Sequence, residues 1–159
     1  KRAEDLLSKL REALGSLRCI PISAKNIPTQ VMTQWLQTGN LPAGFELGEE
    51  CELKAGKDER AIRCKKQDLT ANEILSHINS GMFVNKVAVT WKESIHCVLD
   101  DQLAVKRLKF DDVISEKAND RNPETKAEQF DADFAIMSGE LKNFIADLLA
   151  AFGGESDPV

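Results

Sequence analysis

Three short runs of alternating apolar residues, at 84–91, 95–99 and 103–110, limit what this chain can fold into more than any other feature. Val87, Val89 and Trp91 fall on one side of the first run, and Ile95, Cys97 and Leu99 on one side of the second. Glu93-Ser94 and Asp100-Asp101-Gln102 supply the turns between them. Side chains alternate faces along a strand, so short runs joined by tight turns predict an antiparallel meander with one apolar face. By strict alternation, the third run puts Lys106 with Leu108 and Phe110, and Arg107 and Lys109 with Val105. Arg107 and Lys109 are therefore expected to project together from one surface.

An apolar sheet face has to be covered, and the flanking sequence offers helices to do so. Val31, Met32, Trp35 and Leu36 mark a helix over 29–38, entered after Asn26-Ile27-Pro28 and stopped by Gly39. Ile74, Leu75 and Ile78 mark another over 70–80, ending at Gly81. Phe130, Phe134, Met137, Leu141, Phe144, Leu148 and Phe152 recur every three or four residues. They predict a long amphipathic helix over 126–152, with Gly139 as its weak point and Gly153-Gly154 as its stop. Residues 46–54 and 61–66 are expected to pair across the polar loop 56–60. Stretch 111–125 is acidic and polar with a break at Asn122-Pro123, and the tail 155–159 is expected to be disordered. The fold class that follows is α+β: an antiparallel β-meander packed with helices, and a long C-terminal amphipathic helix.

Residues 2–14 carry Ala3, Leu6, Leu7, Leu10, Ala13 and Leu14 on one helical face, with Gly15 placed to end the helix. Cys19-Ile20-Pro21-Ile22 then predicts a short strand, at an edge because Pro21 has no N–H to donate. The chain begins at Lys1 rather than methionine, so a piece of a longer protein is expected. Residues 1–27 are thus expected to be a helix–strand remnant completing an upstream α/β domain. Residues 28–112 are expected to form an α+β region, and 113–159 a C-terminal helical segment and tail.

At 159 residues, 42% hydrophobic and 30% charged, the chain is long enough to bury a real core. No apolar run approaches the roughly 18 residues of a membrane span, and KRAEDLLSKL is not a secretory signal. Cys19, Cys51, Cys64 and Cys97 show no C-x-x-C spacing, which points to reduced thiols in a cytoplasmic protein. His77 and His96 have no partner at ligand spacing, so no metal and no cofactor is expected. The net charge of −5 is unevenly spread: residues 60–110 hold nine Lys/Arg against five Asp/Glu. A basic middle between acidic ends is compatible with a nucleic-acid face, because local fields govern binding more than net charge does.

The basic density peaks at Arg60, Arg63, Lys65 and Lys66, immediately before a T-x-x-E capping box formed by Thr70 and Glu73. A cationic strand leading into an open helix N-terminus is one way to hold an anion. A solvated strand edge, with lysines discouraging aggregation, accounts for the same residues. Glu52-Leu53-Lys54 matches the E-x-K core of Mg²⁺-dependent nucleases, but the upstream metal-binding aspartate is missing and only Glu46, Glu49 and Glu50 stand near. The acid pairs Asp100-Asp101, Asp111-Asp112 and Asp131/Asp133 fall at turns and helix starts, where they cap and solvate. No G-x-S-x-G, phosphate-loop or dinucleotide fingerprint occurs, and a chain without tyrosine lacks an evident platform for stacking bases.

Four segments in consistent order, AEDLLSKLREALGSL, CKKQDLTANEI, LAVKRLKF and FDADFAIMSGELKNFIADLLAAFGG, resemble the C-terminal half of the bacterial recombination-associated protein RdgC family. The resemblance implies a non-catalytic, nucleoid-associated protein that binds double-stranded DNA with little sequence preference. It also implies a ring-forming homodimer in the full-length family, which restrains RecA-promoted strand exchange. DNA contacts carried over from the family's KKQDLT motif fall on Lys66 and Gln67, with Lys65 beside them, so the resemblance implies that 28–112 is the DNA-binding region. Local pattern adds Arg63, Arg107 and Lys109. A subunit-interaction module, with its DNA contacts in the N-terminal half that this chain lacks, is the alternative.

Overall fold

The computed structural model describes residues 2–56, 60–112, 114 and 125–156; the break at Asn122-Pro123 and the last three residues of the tail lie outside them. The elements are α1 (Arg2–Leu14), α2 (Pro28–Thr38), β1 (Phe45–Ala55), β2 (Ala61–Lys65), α3 (Asn72–Asn79), β3 (Met82–Trp91), β4 (Ile95–Asp100), β5 (Val105–Phe110) and α4 (Lys126–Ala151). The strands form one antiparallel sheet in the order β2-β1-β3-β4-β5. The expected α+β class holds, and so do the meander and the pairing of 46–54 with 61–66.

One face of the sheet is apolar and covered. Leu53, Val84, Val87, Val89, Trp91, Ile95 and Leu99 are buried there together with Met32, Trp35 and Leu36 of α2. α2 starts on Pro28, whose missing N–H has no partner to lose in a first turn. It ends on Gly39 at φ 66°, the left-handed conformation glycine accepts without strain. Its Thr33 hydroxyl accepts the Val84 N–H at 2.9 Å, tying helix to sheet.

The C-terminal half of α4 completes the cover. Phe144 meets Trp91 edge-on with ring centroids 5.7 Å apart, and Phe152 meets Trp35 at 5.1 Å. The Trp91 indole N–H donates to Asp147, whose same oxygen lies 2.9 Å from the Lys92 ammonium. Lys92 and the Trp91 indole together hold the Asp147 carboxyl below its ordinary value. The predicted stripe of α4 divides here: Phe144, Leu148 and Phe152 are buried, whereas Phe130 and Phe134 are 66% and 64% exposed. Those two rings stack on each other, 6.1 Å apart. The helix runs unbroken through Gly139.

Two expectations fail near the ends of elements. Cys19-Ile20-Pro21-Ile22 forms no strand and is exposed. Backbone pairing begins only at 23–26, where the chain beyond α4 supplies partners: Asn26 N–H to Phe152 O, Lys25 N–H to Gly154 O and, in return, Ser156 N–H to Ser23 O. Gly153 permits this approach, since a Cβ there would lie 2.6 Å from the Asn26 amide nitrogen. The Thr70/Glu73 capping box is also absent. Thr70 instead donates both its N–H and its hydroxyl to Asp68 Oδ1, forming a turn stabilised by the aspartate, and α3 starts after Ala71 with no side-chain cap. A capping box does form at α4, between Thr125 and Glu128.

Candidate nucleic-acid interface

Among the described residues, no helix covers the second face of the sheet. Register partners in an antiparallel pair share a face, so Glu50↔Lys65 and Glu52↔Arg63 of β1 and β2 lie opposite the buried Cys51↔Cys64. Lys86 of β3, paired with Glu52, joins the same open face. The face thus alternates acid on β1 with base on both neighbours.

Glu52 is the centre of that arrangement. It is buried to 6% exposure, and its two oxygens take Lys86 Nζ at 2.8 Å, Arg63 Nε at 2.8 Å and Asn85 Nδ2 at 3.0 Å. The Lys86 ammonium is the chief reason that the carboxyl sits at about 2 rather than 4.5; burial opposes it, and Arg63 and Asn85 add to it. Asn85 reaches Glu52 because it is the extra residue of a bulge, where Glu52–Leu53 of β1 faces Lys86–Val84 of β3. Of the E-x-K triplet, Glu52 is thus engaged by Lys86 and Arg63 from the neighbouring strands, and among the described residues no group of three or more His, Cys, Asp or Glu is arranged to hold a metal.

β5 corrects the expected alternation. His96 and Val98 of β4 face Lys109 and Lys106, so two residues of β5, Arg107 and Leu108, stand opposite the single residue Cys97. Arg107 takes φ 50° to make this bulge. The phase of the strand flips across it. Lys106, expected beside Leu108 and Phe110, turns to the open face opposite Val98 and reaches Asp100 at 2.6 Å. Phe110 packs against the core, and Val105 pairs with core-facing Leu99 rather than sharing the Lys109 face. Asp100 is buried, which works against its charge, but the Lys106 ammonium and the N–H groups of Ala104 and Gln102 outweigh this and hold its carboxyl low.

Arg107 and Lys109 do emerge together, lining one shallow hollow with Glu50, Thr90 and His96. Arg107 also bonds Glu50 across the sheet at 2.9 Å. Beside it lies a cavity of about 280 Å³ whose walls include Arg63, Lys65, Lys86, Lys106 and Arg107 against Glu50 and Glu52. Of the six residues singled out in the sequence, Arg63, Lys65 and Arg107 meet at this cavity, and Lys109 adjoins it. Lys66, at φ 53°, and Gln67 occupy the turn leaving β2, where the Gln67 N–H contacts Glu49 O at 3.4 Å. Among the described residues Lys65, Lys66 and Lys109 have no carboxylate within ion-pair distance, whereas Arg63 and Arg107 do.

Lys86 and Lys106 are additions that sequence reasoning missed. Lys86 alternates with Val87 and Val89 and could have been assigned to the polar face by parity. Lys106 could not, because nothing local announces the bulge at Arg107.

A protein-family model described as "Putative exonuclease, RdgC" matches residues 1–155. The chain belongs to the RdgC family. It is 47% identical over 156 residues to the recombination-associated protein RdgC of Psychromonas ingrahamii, covering 98% of this chain and 52% of that relative. It is 44% identical over 160 residues to the protein of the same name from Aeromonas hydrophila, covering 100% and 53%, and 46% identical over 157 residues to that of Mannheimia succiniciproducens, covering 99% and 52%. The chain thus spans about half the length of the curated RdgC relatives it matches. Those relatives are named for recombination and not for an enzymatic activity, while the family description names an exonuclease. No described helix is long and apolar enough to cross a membrane.

Proposed function

We propose that this chain binds duplex DNA without sequence preference, as part of a homodimeric RdgC protein that encircles DNA in the nucleoid and restrains RecA-promoted strand exchange. The observation that carries the reading is the convergence of Arg63, Lys65, Lys86, Lys106 and Arg107 on one uncovered sheet face, with Lys66 and Gln67 at the adjoining turn. Lysines meet phosphates as mobile point charges and read no base edges, which suits a binder indifferent to sequence. Names given to relatives at 44–47% identity place this family in recombination, a process whose substrate is DNA. In the same reading, residues 1–27 complete an α/β domain of the longer protein; the exposure of Leu6, Leu14, Ile20 and Ile22 supports it. The cytoplasm is the compartment this function requires.

Titration of a mixed-sequence duplex at two salt concentrations tests it. Binding should weaken steeply with salt, by a slope of about −0.9 per phosphate neutralised. A Lys65→Glu/Lys66→Glu variant should bind at least about tenfold more weakly at low salt, with a slope smaller by about two. Unchanged binding in that variant would favour the second reading, a subunit-interaction module, for which the exposed stacked pair Phe130/Phe134 is the specific support. The exonuclease named in the family description predicts Mg²⁺-dependent loss of the duplex, abolished by Glu52→Ala.

A further inference from the structure

Two of the three bulged segments of the sheet, on β1 and β5, meet across its open face. On β1, Gly48, Glu49 and Glu50 occupy an interval that β3 spans with Ala88 alone. Gly48 makes room for this: a Cβ there would sit 2.8 Å from the Ala88 methyl and 3.2 Å from its backbone. On β5, the Arg107 bulge turns its guanidinium back across the sheet. The result is the 2.9 Å Arg107–Glu50 ion pair, which joins β5 to β1 although β4 and β3 lie between them. Both side chains also wall the basic cavity.

The open face holds two kinds of carboxylate. Glu52 has 8% of its side chain exposed and three donors, so removing its partners would strand a buried charge. Glu50 has 32% of its side chain exposed and its partner Arg107 59%, and one guanidinium nitrogen meets one carboxylate oxygen. An ion pair this open is worth little in water and exchanges readily. A phosphodiester, though tetrahedral, offers Arg107 a pair of anionic oxygens that a guanidinium can take two at a time, as a carboxylate does.

Building on the DNA-binding reading above, we propose that the Glu50–Arg107 pair is an exchangeable strap over a phosphodiester site. A backbone phosphate displaces the Glu50 carboxylate from Arg107 and gains Lys65, Lys86 and Lys106 in the cavity below. Glu50 is then a built-in competitor for the DNA backbone. It lowers affinity while keeping Arg107 in place when no DNA is bound.

The experiment is a double-mutant cycle on the 159-residue chain, read as the dissociation constant for a 20-base-pair mixed-sequence duplex at low salt. Thermal melting of each variant serves as a folding check. Glu50→Gln should bind about three- to tenfold more tightly, with a salt slope steeper by up to about one, because Arg107 no longer has to release a carboxylate. Arg107→Gln should bind more weakly, and Glu50→Gln added to it should restore little. Glu49→Gln, which removes an acid from the same bulge without freeing a cation, measures the gain from charge alone and should be the smaller. Equal gains from Glu50→Gln in the wild-type and Arg107→Gln backgrounds, or weaker binding by Glu50→Gln, would overturn the strap while leaving DNA binding intact. Failure of the wild-type chain to bind the duplex at all would overturn the functional reading and the strap with it.

Discussion

Among single residues, Glu52 does most to decide what the open face can be. Its carboxyl is depressed to about 2 from 4.5, so the ionised form is the one the fold stabilises. A group with a lowered folded-state value contributes stability in full above its unfolded value, and that contribution is lost as the pH falls through the folded one. Stability should therefore drop by an amount on the order of 3 kcal/mol as the pH falls from about 4.5 to about 2. Urea midpoints measured across that range should show the loss, and Glu52→Gln should flatten it. At neutral pH the same variant should be destabilised by about 1–3 kcal/mol: the amide oxygen can still accept from Lys86 and Asn85, but the acceptor for Arg63 and the negative charge between two cations are lost. Gly48 is the backbone counterpart. Gly48→Ala drives a methyl into Ala88 and should cost about 1–3 kcal/mol by thermal melting, with no loss of charge anywhere on the face.

Elements in this chain do different work along their own length. α4 has one periodic stripe in its sequence, yet Phe144 packs against Trp91 and Phe45 while Phe130 and Phe134 face outward. Phe144→Ala should therefore cost about 3–5 kcal/mol in chemical denaturation, and Phe130→Ala well under 1 kcal/mol in the same assay. Thr125→Ala, which removes a capping box from the exposed end, should cost about 1 kcal/mol. β5 shows the same division in a strand. Its charged residues KRLK were visible as a basic run, but the bulge determines which of them face Val98 and His96.

Over the whole molecule, the sheet has one face for stability and one for charge. The buried face was legible from the alternation of Val87, Val89 and Trp91 with polar neighbours, because burying every second side chain leaves a period of two. The charged face was legible only as basic density around 60–66 and 106–109. Two of its counter-charges, Glu50 and Glu52, come from β1, whose GEECELK pattern showed no clear period because a bulge interrupts it. The N-terminal helix stands apart from both faces. Leu6, Leu10 and Leu14 of α1 are 59%, 38% and 63% exposed, and a 13-residue helix without packing is marginal in water. Amides of α1 should exchange with solvent far faster than those of β3 in this chain. In a protein of the relatives' full length, protection of α1 should rise if residues 1–27 complete an upstream domain.

Most of the elements, the class of fold and the apolar face follow from the sequence alone, because turn chemistry and periodic burial are written into neighbouring residues. The sequence also determined the family, through motifs whose order no single element explains. Which cations meet depends on the assembled sheet. Lys106 reaches the open face, Arg107 crosses to Glu50, and Glu52 gathers Arg63, Lys86 and Asn85 because three bulges set the register of strands distant in sequence. A one-residue slip in pairing exchanges the two faces of a strand. The free energy that selects such a slip lies in the packing of the assembled sheet, and no short window of residues contains it.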